Sequence, residues 1–231
     1  MLFPISILKN TKVRKWFVKL RYLALKQKMK FNRSGSSSIG EDTIEHNLNA
    51  FNESGGFGVG QRMGLLLYPV IAHDSFYTVK KEDKKVLLVG CRTEDDIYWM
   101  RAYGYKQAIG YDLFSYSKNI LVGDIHNTDF EDQSFDVVIL GWMISYTKDP
   151  ETVFKECRRI LKTNGLFGIG LEHNPNQIDD NLPSPRMNPL NTTSGIKKLL
   201  DATMNHSVLF EYDHENDHVG DFSTAVVTIV R

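Results

Sequence analysis

The stretch that decides the fold reads KVLLVGCRTEDD (85–96), QAIGYDLFSYS (107–117) and ILVGDIHNTDFEDQSFDVVILGWMISYTKDPETVFKECRRILKTNGLFGIGLE (120–172). Five apolar runs punctuate it: Val86–Val89, Ala108–Tyr111, a weaker Ile120–Gly123, Phe135–Leu140 and Leu166–Leu171. Each stops at a small or acidic residue, in turn Gly90, Asp112, Asp124, Gly141 and Glu172. Short continuous runs of Val, Ile and Leu read as strands buried on both faces, the pattern of a parallel sheet. Between them, Glu94–Ala102 suits a helix closed by Tyr103-Gly104. Asp149-Pro150 opens a second helix with a capping residue followed by proline at its first position. That helix runs to about Leu161 and stops at Asn164-Gly165, a left-handed cap signal. The alternation predicts an α/β fold. In an open parallel sheet a nucleotide-like ligand lies outside the carboxyl ends of the strands, where strand order reverses, and the residues that end these runs stand on its path.

Working outward, 174–194 is polar, with prolines at 175, 183, 185 and 189, and reads as a long loop that covers a site. Gly195–Met204 reads as a helix, and Ser207–Tyr212 with Ser223–Val230 as an antiparallel pair. Upstream, SGGFGVGQR (54–62) holds four glycines, but no strand precedes it and no Gly-Lys-Ser/Thr follows, so it makes a poor phosphate loop. RMGLLLYPVIAHD (62–74) reads as a helix or strand covering one side of the sheet, and RSGSSSIG (33–40) as a linker. In residues 11–30, Val13, Phe17, Leu20 and Ala24 recur at helical spacing with Trp16 and Leu23 beside them, and Lys and Arg fill the remaining circumference. The organisation is therefore a basic helix and linker (1–40) and a domain (41–231), with a core at 85–172, a lid loop at 173–194 and a C-terminal helix and hairpin at 195–231.

Of 231 residues, 42% are hydrophobic and 24% charged, which suits one soluble α/β domain with an extension. Cys91 and Cys157 are the only cysteines and show no metal or disulfide spacing, as expected of a reducing, cytoplasmic protein. No apolar run approaches the roughly 20 residues a bilayer span needs, and MLFPISIL lacks the basic lead of a secretory signal. Zero net charge hides an asymmetry. Residues 1–40 carry ten Lys and Arg and no acid, which leaves 28 acidic against 18 basic residues in the rest, a net of −10. Such an arm docks its apolar face on the body or on a second subunit in a homodimer, or lies on a membrane surface as a peripheral contact. No nucleic-acid module accompanies it. His214, Glu215, Asp217 and His218 make a metal-like cluster, but in the predicted hairpin loop, so no metal is expected.

GDIHNTDFEDQSFDVVILGWMISY (123–146) followed by DPETVFKECRRILKTNG (149–165) resembles the class I S-adenosylmethionine-dependent methyltransferases, in particular the small-molecule-modifying, methyltransferase-11-like group. The resemblance covers 85–172 and extends to the terminal helix and hairpin; residues 1–60 fall outside it. It implies a Rossmann-like, doubly wound, mostly parallel seven-stranded sheet with an antiparallel last strand, in three layers. It implies S-adenosyl-L-methionine as cofactor, with Gly90 and Cys91 under its methionine part. Asp112 would take the ribose hydroxyls and Leu113 the adenine face. Asp124 would take the adenine amino group, Ile125 and His126 would border the ring, and Gly141 and Trp142 would face the sulfonium. The first loop departs from the family: acid-x-gly-x-gly-x-gly becomes Leu88, Gly90, Arg92, Glu94. Charged groups are then expected to replace glycines, with Glu94 or Asp95 accepting the cofactor's amino group and Arg92 pairing with its carboxylate. The segment between Asp112 and Asp124 leaves little room for the usual helix.

Methyl transfer is an in-line displacement in which the protein supplies alignment and, for some acceptors, a base. His173, where the fifth strand opens into the long loop, is the favoured base; Glu172, Tyr146 and His73-Asp74 are others. The expected function is methyl transfer to oxygen or nitrogen of a small-molecule or surface-glycan-type acceptor. The alternative is a non-catalytic or regulatory protein on the same scaffold, for which the altered glycine loop argues. A nicotinamide enzyme is disfavoured by the absence of G-x-G-x-x-G after the first strand and by the final hairpin.

Overall fold

The computed structural model describes residues 4–32, 60–147, 149–173, 192–216 and 221–231. The 33–40 linker, most of the glycine-rich 54–62 segment, the proline-rich loop from 174 to 191 and the hairpin tip lie outside the described residues. So do the side chains of Glu172, His173 and His214 to Asn216.

In chain order the elements are α1 (Thr11–Leu25), β1 (Lys30–Phe31), α2 (Gly64–Phe76), β2 (Lys85–Val89), α3 (Asp95–Ala102), β3 (Gln107–Asp112), β4 (Phe114–Ser115) and β5 (Ile120–Val122). Then come β6 (Phe135–Gly141), α4 (Pro150–Ile160), β7 (Leu161–His173), α5 (Thr193–Thr203), β8 (His206–Asn216) and β9 (Asp221–Val230). Seven strands form one sheet in the order β5-β3-β2-β6-β7-β9-β8. The first five are parallel, and β9 runs antiparallel to both β7 and β8. The chain winds outward from β2 through β3 to β5, then returns to lay β6 on the other side of β2. Strand order therefore reverses between β2 and β6, and the crevice outside their carboxyl ends is the natural ligand position.

Alternation along the strands sorts the core into two faces. Val86, Leu88, Val137 and Ile139 pack with Leu66, Leu67 and Val70 of α2 and Ile97 and Met100 of α3. Leu87, Val89, Val138 and Leu140 pack with Val153, Phe154 and Cys157 of α4 and Ile196 and Leu200 of α5. This is the three-layered, doubly wound architecture expected from the sequence. Asp149 caps α4 by accepting the Thr152 N–H at 3.1 Å. The helix ends at Ile160, ahead of Asn164, whose left-handed φ of +64° falls in the irregular start of β7 rather than at the helix cap. No helix joins β3 to β5; residues 113–119 hold only β4 and turns.

The arm docks by only part of the face its apolar spacing suggested, with Val13 and Phe17 half-buried. Val18 and Arg14 are buried against the body, and Arg21 lies half-buried beside them. Arg14 donates Nε–H to Asp95 at 3.0 Å and sits over the Trp99 ring, 4.2 Å from its centroid. Phe17 packs edge-on to Tyr98, and Tyr22 to Tyr116. Leu20 and Ala24, with Trp16 and Leu23, face solvent instead. The reason is charge: the α3 end of the body presents Glu94, Asp95 and Asp96, so the arginine side of α1 gains most by turning inward. Beyond α1, β1 pairs antiparallel with β4, and Asn32 N–H donates to Leu113 O at 2.7 Å.

Candidate functional site

The ends of β2 and β6 carry unusual backbone. Gly90 has φ +70°, and a Cβ there would lie 2.5 Å from Met143 Cβ. Both facts require glycine, and the close neighbour is a side chain of this chain. Gly141 ends β6, where a Cβ would lie 2.9 Å from Met63 Sδ. Arg92 and Trp142 also adopt left-handed φ, +51° and +56°. For a bulky side chain that costs about 1–2 kcal/mol. Such strain persists only where surroundings over-determine it, and it clusters at functional sites. Trp142 is held by its N–H donating to Gly170 O at 3.1 Å and by a ring packed so closely on Gly170 that a Cβ there would sit 2.7 Å from it. Its buried indole N–H has no hydrogen-bond partner among the described residues.

Asp112 ends β3 and is buried. Burial pushes its carboxyl up to about 6, against backbone N–H groups of Arg92, Leu113 and Phe114 that favour the charged form. The Arg92 N–H reaches Oδ2 at 2.8 Å. A carboxylate offers about four lone-pair sites, so three backbone donors leave capacity for a hydroxyl. Together with the partnerless Trp142 N–H, this fits an adenosyl ligand across the strand ends.

Glu94 and Asp95, expected at the methionine end, each bind an arginine of the arm. The Glu94 carboxylate is buried and accepts Arg21 Nε–H at 2.6 Å, Asn119 Nδ2–H at 2.6 Å and the Ser117 hydroxyl, while its own N–H donates to Tyr116 Oη at 3.1 Å. Asp95 is held by Arg14. Glu94 thus pins the turn that stands where a β3–β5 helix would be. Cys91 is buried with its Sγ against Gly110, where a Cβ would lie 2.5 Å away. Its thiol is pushed well up by burial and by Asp112.

After β5, Asp124 Oδ1 accepts the His126 N–H at 3.0 Å and lies 2.6 Å from its Nδ1, and His126 Nε2 meets the Thr147 hydroxyl. Leu113 is half-buried, and Ile125 is packed in the core with residues of α4 and α5. His173 ends β7, its backbone paired with Phe222. His73 and Asp74 are removed from the crevice: Asp74 accepts from Lys84 Nζ at 2.7 Å, just before β2 begins, and from Tyr105 Oη at 2.9 Å. Sequence reasoning missed Arg14, Arg21 and Asn32, which brace the loops after β2 and β3. The signal was present as a basic arm facing an acidic TEDD loop. Among the described residues no group of three His, Cys, Asp or Glu is placed to hold a metal, and no helix is long and apolar enough to cross a membrane.

This sheet order, with its reversal between β2 and β6, is that of a Rossmann-like fold. The family model described as a methyltransferase domain, Methyltransf_11, matches residues 87–169, a little over a third of the chain. A demethylmenaquinone methyltransferase of Thermotoga maritima is 42% identical over 49 residues, 21% of each chain, so the match spans about a fifth of the curated relative's length. Among solved structures, the 1,6-didemethyltoxoflavin-N1-methyltransferase of Burkholderia thailandensis, with 1,6-didemethyltoxoflavin and S-adenosylhomocysteine bound, aligns at TM-score 0.58. It shares 9% identity, over 87% of this chain and 94% of that one. A Pyrococcus horikoshii protein aligns at TM-score 0.50 with 19% identity, over 70% and 89%. At such identities the likeness is one of fold.

Proposed function

We propose that the protein transfers a methyl group from S-adenosylmethionine to oxygen or nitrogen of a small-molecule or glycan-type acceptor. The observation that carries this reading is Asp112: a buried acid with spare acceptor capacity, beside the reversal of strand order in a methyltransferase domain. When bound, the cofactor supplies an electrophilic methyl on a sulfonium. The chain has then to orient the ligand and acceptor and, where needed, take a proton. Asp112 holds the ribose hydroxyls, and Gly90, Arg92 and Leu113 shape the loops around them. Asp124 fixes His126 beside the adenine, and Gly141 with the strained Trp142 borders the transferred group. His173 is the base. Demethylmenaquinone, in the name of the Thermotoga relative, lacks a methyl on a ring carbon, so it is an acceptor to test beside those that offer oxygen or nitrogen.

The competing reading is a non-catalytic scaffold. It draws support from Met143 lying against Gly90 and from the commitment of Glu94 and Asp95 to arginines. Titration calorimetry with S-adenosylmethionine, S-adenosylhomocysteine and NAD decides between them. The proposal expects the first two to bind, and Asp112→Ala to lose them. Binding of none of the three sinks it.

A further inference from the structure

We propose that the outward face of α1 is a docking surface for an anionic lipid bilayer. With Arg14, Val18 and Arg21 turned inward, the opposite side of the helix presents Trp16, Leu20 and Leu23, which are 64%, 45% and 51% exposed. Lys12, Lys19 and Lys26 flank them, all exposed. Large apolar side chains interleaved with lysines are what a helix lying in the headgroup plane uses: the apolar groups enter the acyl boundary and the ammoniums meet anionic headgroups. The helix is rigidly placed by its buried ion pairs, so docking needs no detachment and little ordering.

Charge argues for a bilayer rather than a second copy of the chain. Residues 1–40 hold ten basic residues and no acid, whereas the remainder carries a net −10. An anionic surface therefore attracts the α1 side and repels the rest, which fixes orientation as well as affinity. Two α1 faces packed on each other would instead set lysine against lysine. The inference is independent of the methyltransferase reading, because it needs neither cofactor nor acceptor.

Sedimentation of the full chain with phosphatidylcholine vesicles, with and without phosphatidylglycerol, tests it. Trp16 reports directly, since Trp99 and Trp142 are buried. The expected result is binding to the anionic vesicles only, weakened by salt, with a blue shift of emission and quenching by brominated lipid. Trp16→Ser/Leu20→Ser/Leu23→Ser lowers partitioning at least about tenfold. Lys12→Glu and Lys19→Glu each lower it by about fivefold or more. Unchanged far-ultraviolet circular dichroism in either set excludes a folding defect. No binding to anionic vesicles, equal binding to neutral ones, or triple and lysine variants that bind like the parent each overturn the proposal. So does a triple variant that converts a dimer to a monomer, which would make a second copy the occupant.

Discussion

Arg21 grips Glu94 with a two-pronged hydrogen bond, Nε to Oε2 at 2.6 Å and Nη2 to Oε1 at 2.9 Å, across a sequence separation of 73 residues. The pair ties α1 to the loop that leaves the first strand of the core. Burial pushes the Glu94 carboxyl up, yet the donors from Arg21, Ser117 and Asn119 outweigh it and hold it below its ordinary value. An acid so lowered contributes stability above its unfolded pKa of about 4.3, and that stability is lost as pH falls through the folded value.

Arg21→Ala should therefore cost about 3 kcal/mol, because it leaves a buried carboxylate without its cation. Urea denaturation reads this as a fall in midpoint with little change in slope. Adding Glu94→Gln to that background should restore part of the loss. A double variant no more stable than Arg21→Ala alone would show that the ion pair is not the source.

Asp112 makes the opposite contribution. Its carboxyl stands at about 6 in the fold, against about 3.9 in the unfolded chain. Between those values the native state holds more protons, so this group's term lowers stability as pH rises from about 4 to about 6, then levels off. A ligand whose hydroxyls donate to the carboxylate favours the charged form. S-adenosylhomocysteine affinity should thus fall as pH drops below about 6, by up to about tenfold per unit. Calorimetry in two buffers of different ionisation enthalpy should register proton release there. Asp112→Asn should bind weakly and without that pH dependence.

Gly90→Ala combines a left-handed φ with a collision at Met143. Because the nearest atom is Met143 Cβ, adding Met143→Gly removes the collision and leaves the backbone strain, about 1–2 kcal/mol. The double variant should accordingly be more stable than Gly90→Ala, as thermal melting would show. Equal melting temperatures would mean that Met143 is not what restricts the position.

Both thiols should be silent. Burial pushes the Cys91 and Cys157 thiols up, and Asp112 and Glu156 add to it. Labelling with a chromogenic disulfide at pH 8 should release no signal from native protein and two equivalents in denaturant. Rapid labelling of the native protein would place Cys91 in an open crevice.

The sheet was legible in the sequence because each buried strand is a short Val, Ile and Leu run that ends in a different chemical class. The reversal of strand order lies between Val89 and Phe135 in the chain, and no local pattern marks it; it came from resemblance. Asp112 could be located because an acid closing an apolar run is conspicuous. The pairing of Glu94 with Arg21 was not legible, because Arg21 lies in the arm and pairing at that range leaves no periodic trace. The apolar stripe of α1 was visible too, but spacing alone does not say which side turns inward. Two acids, Glu94 and Asp95, brought to the arm only by folding, drew the arginines instead.

The strap formed by α1 and β1 has a consequence for the order in which the molecule assembles. During synthesis the strap leaves the ribosome well before Glu94, Asp95 and Phe114, the residues it binds. It must wait as an apolar, cationic segment until the first two parallel strands have formed, and that interval is when a chaperone or an anionic surface can capture it.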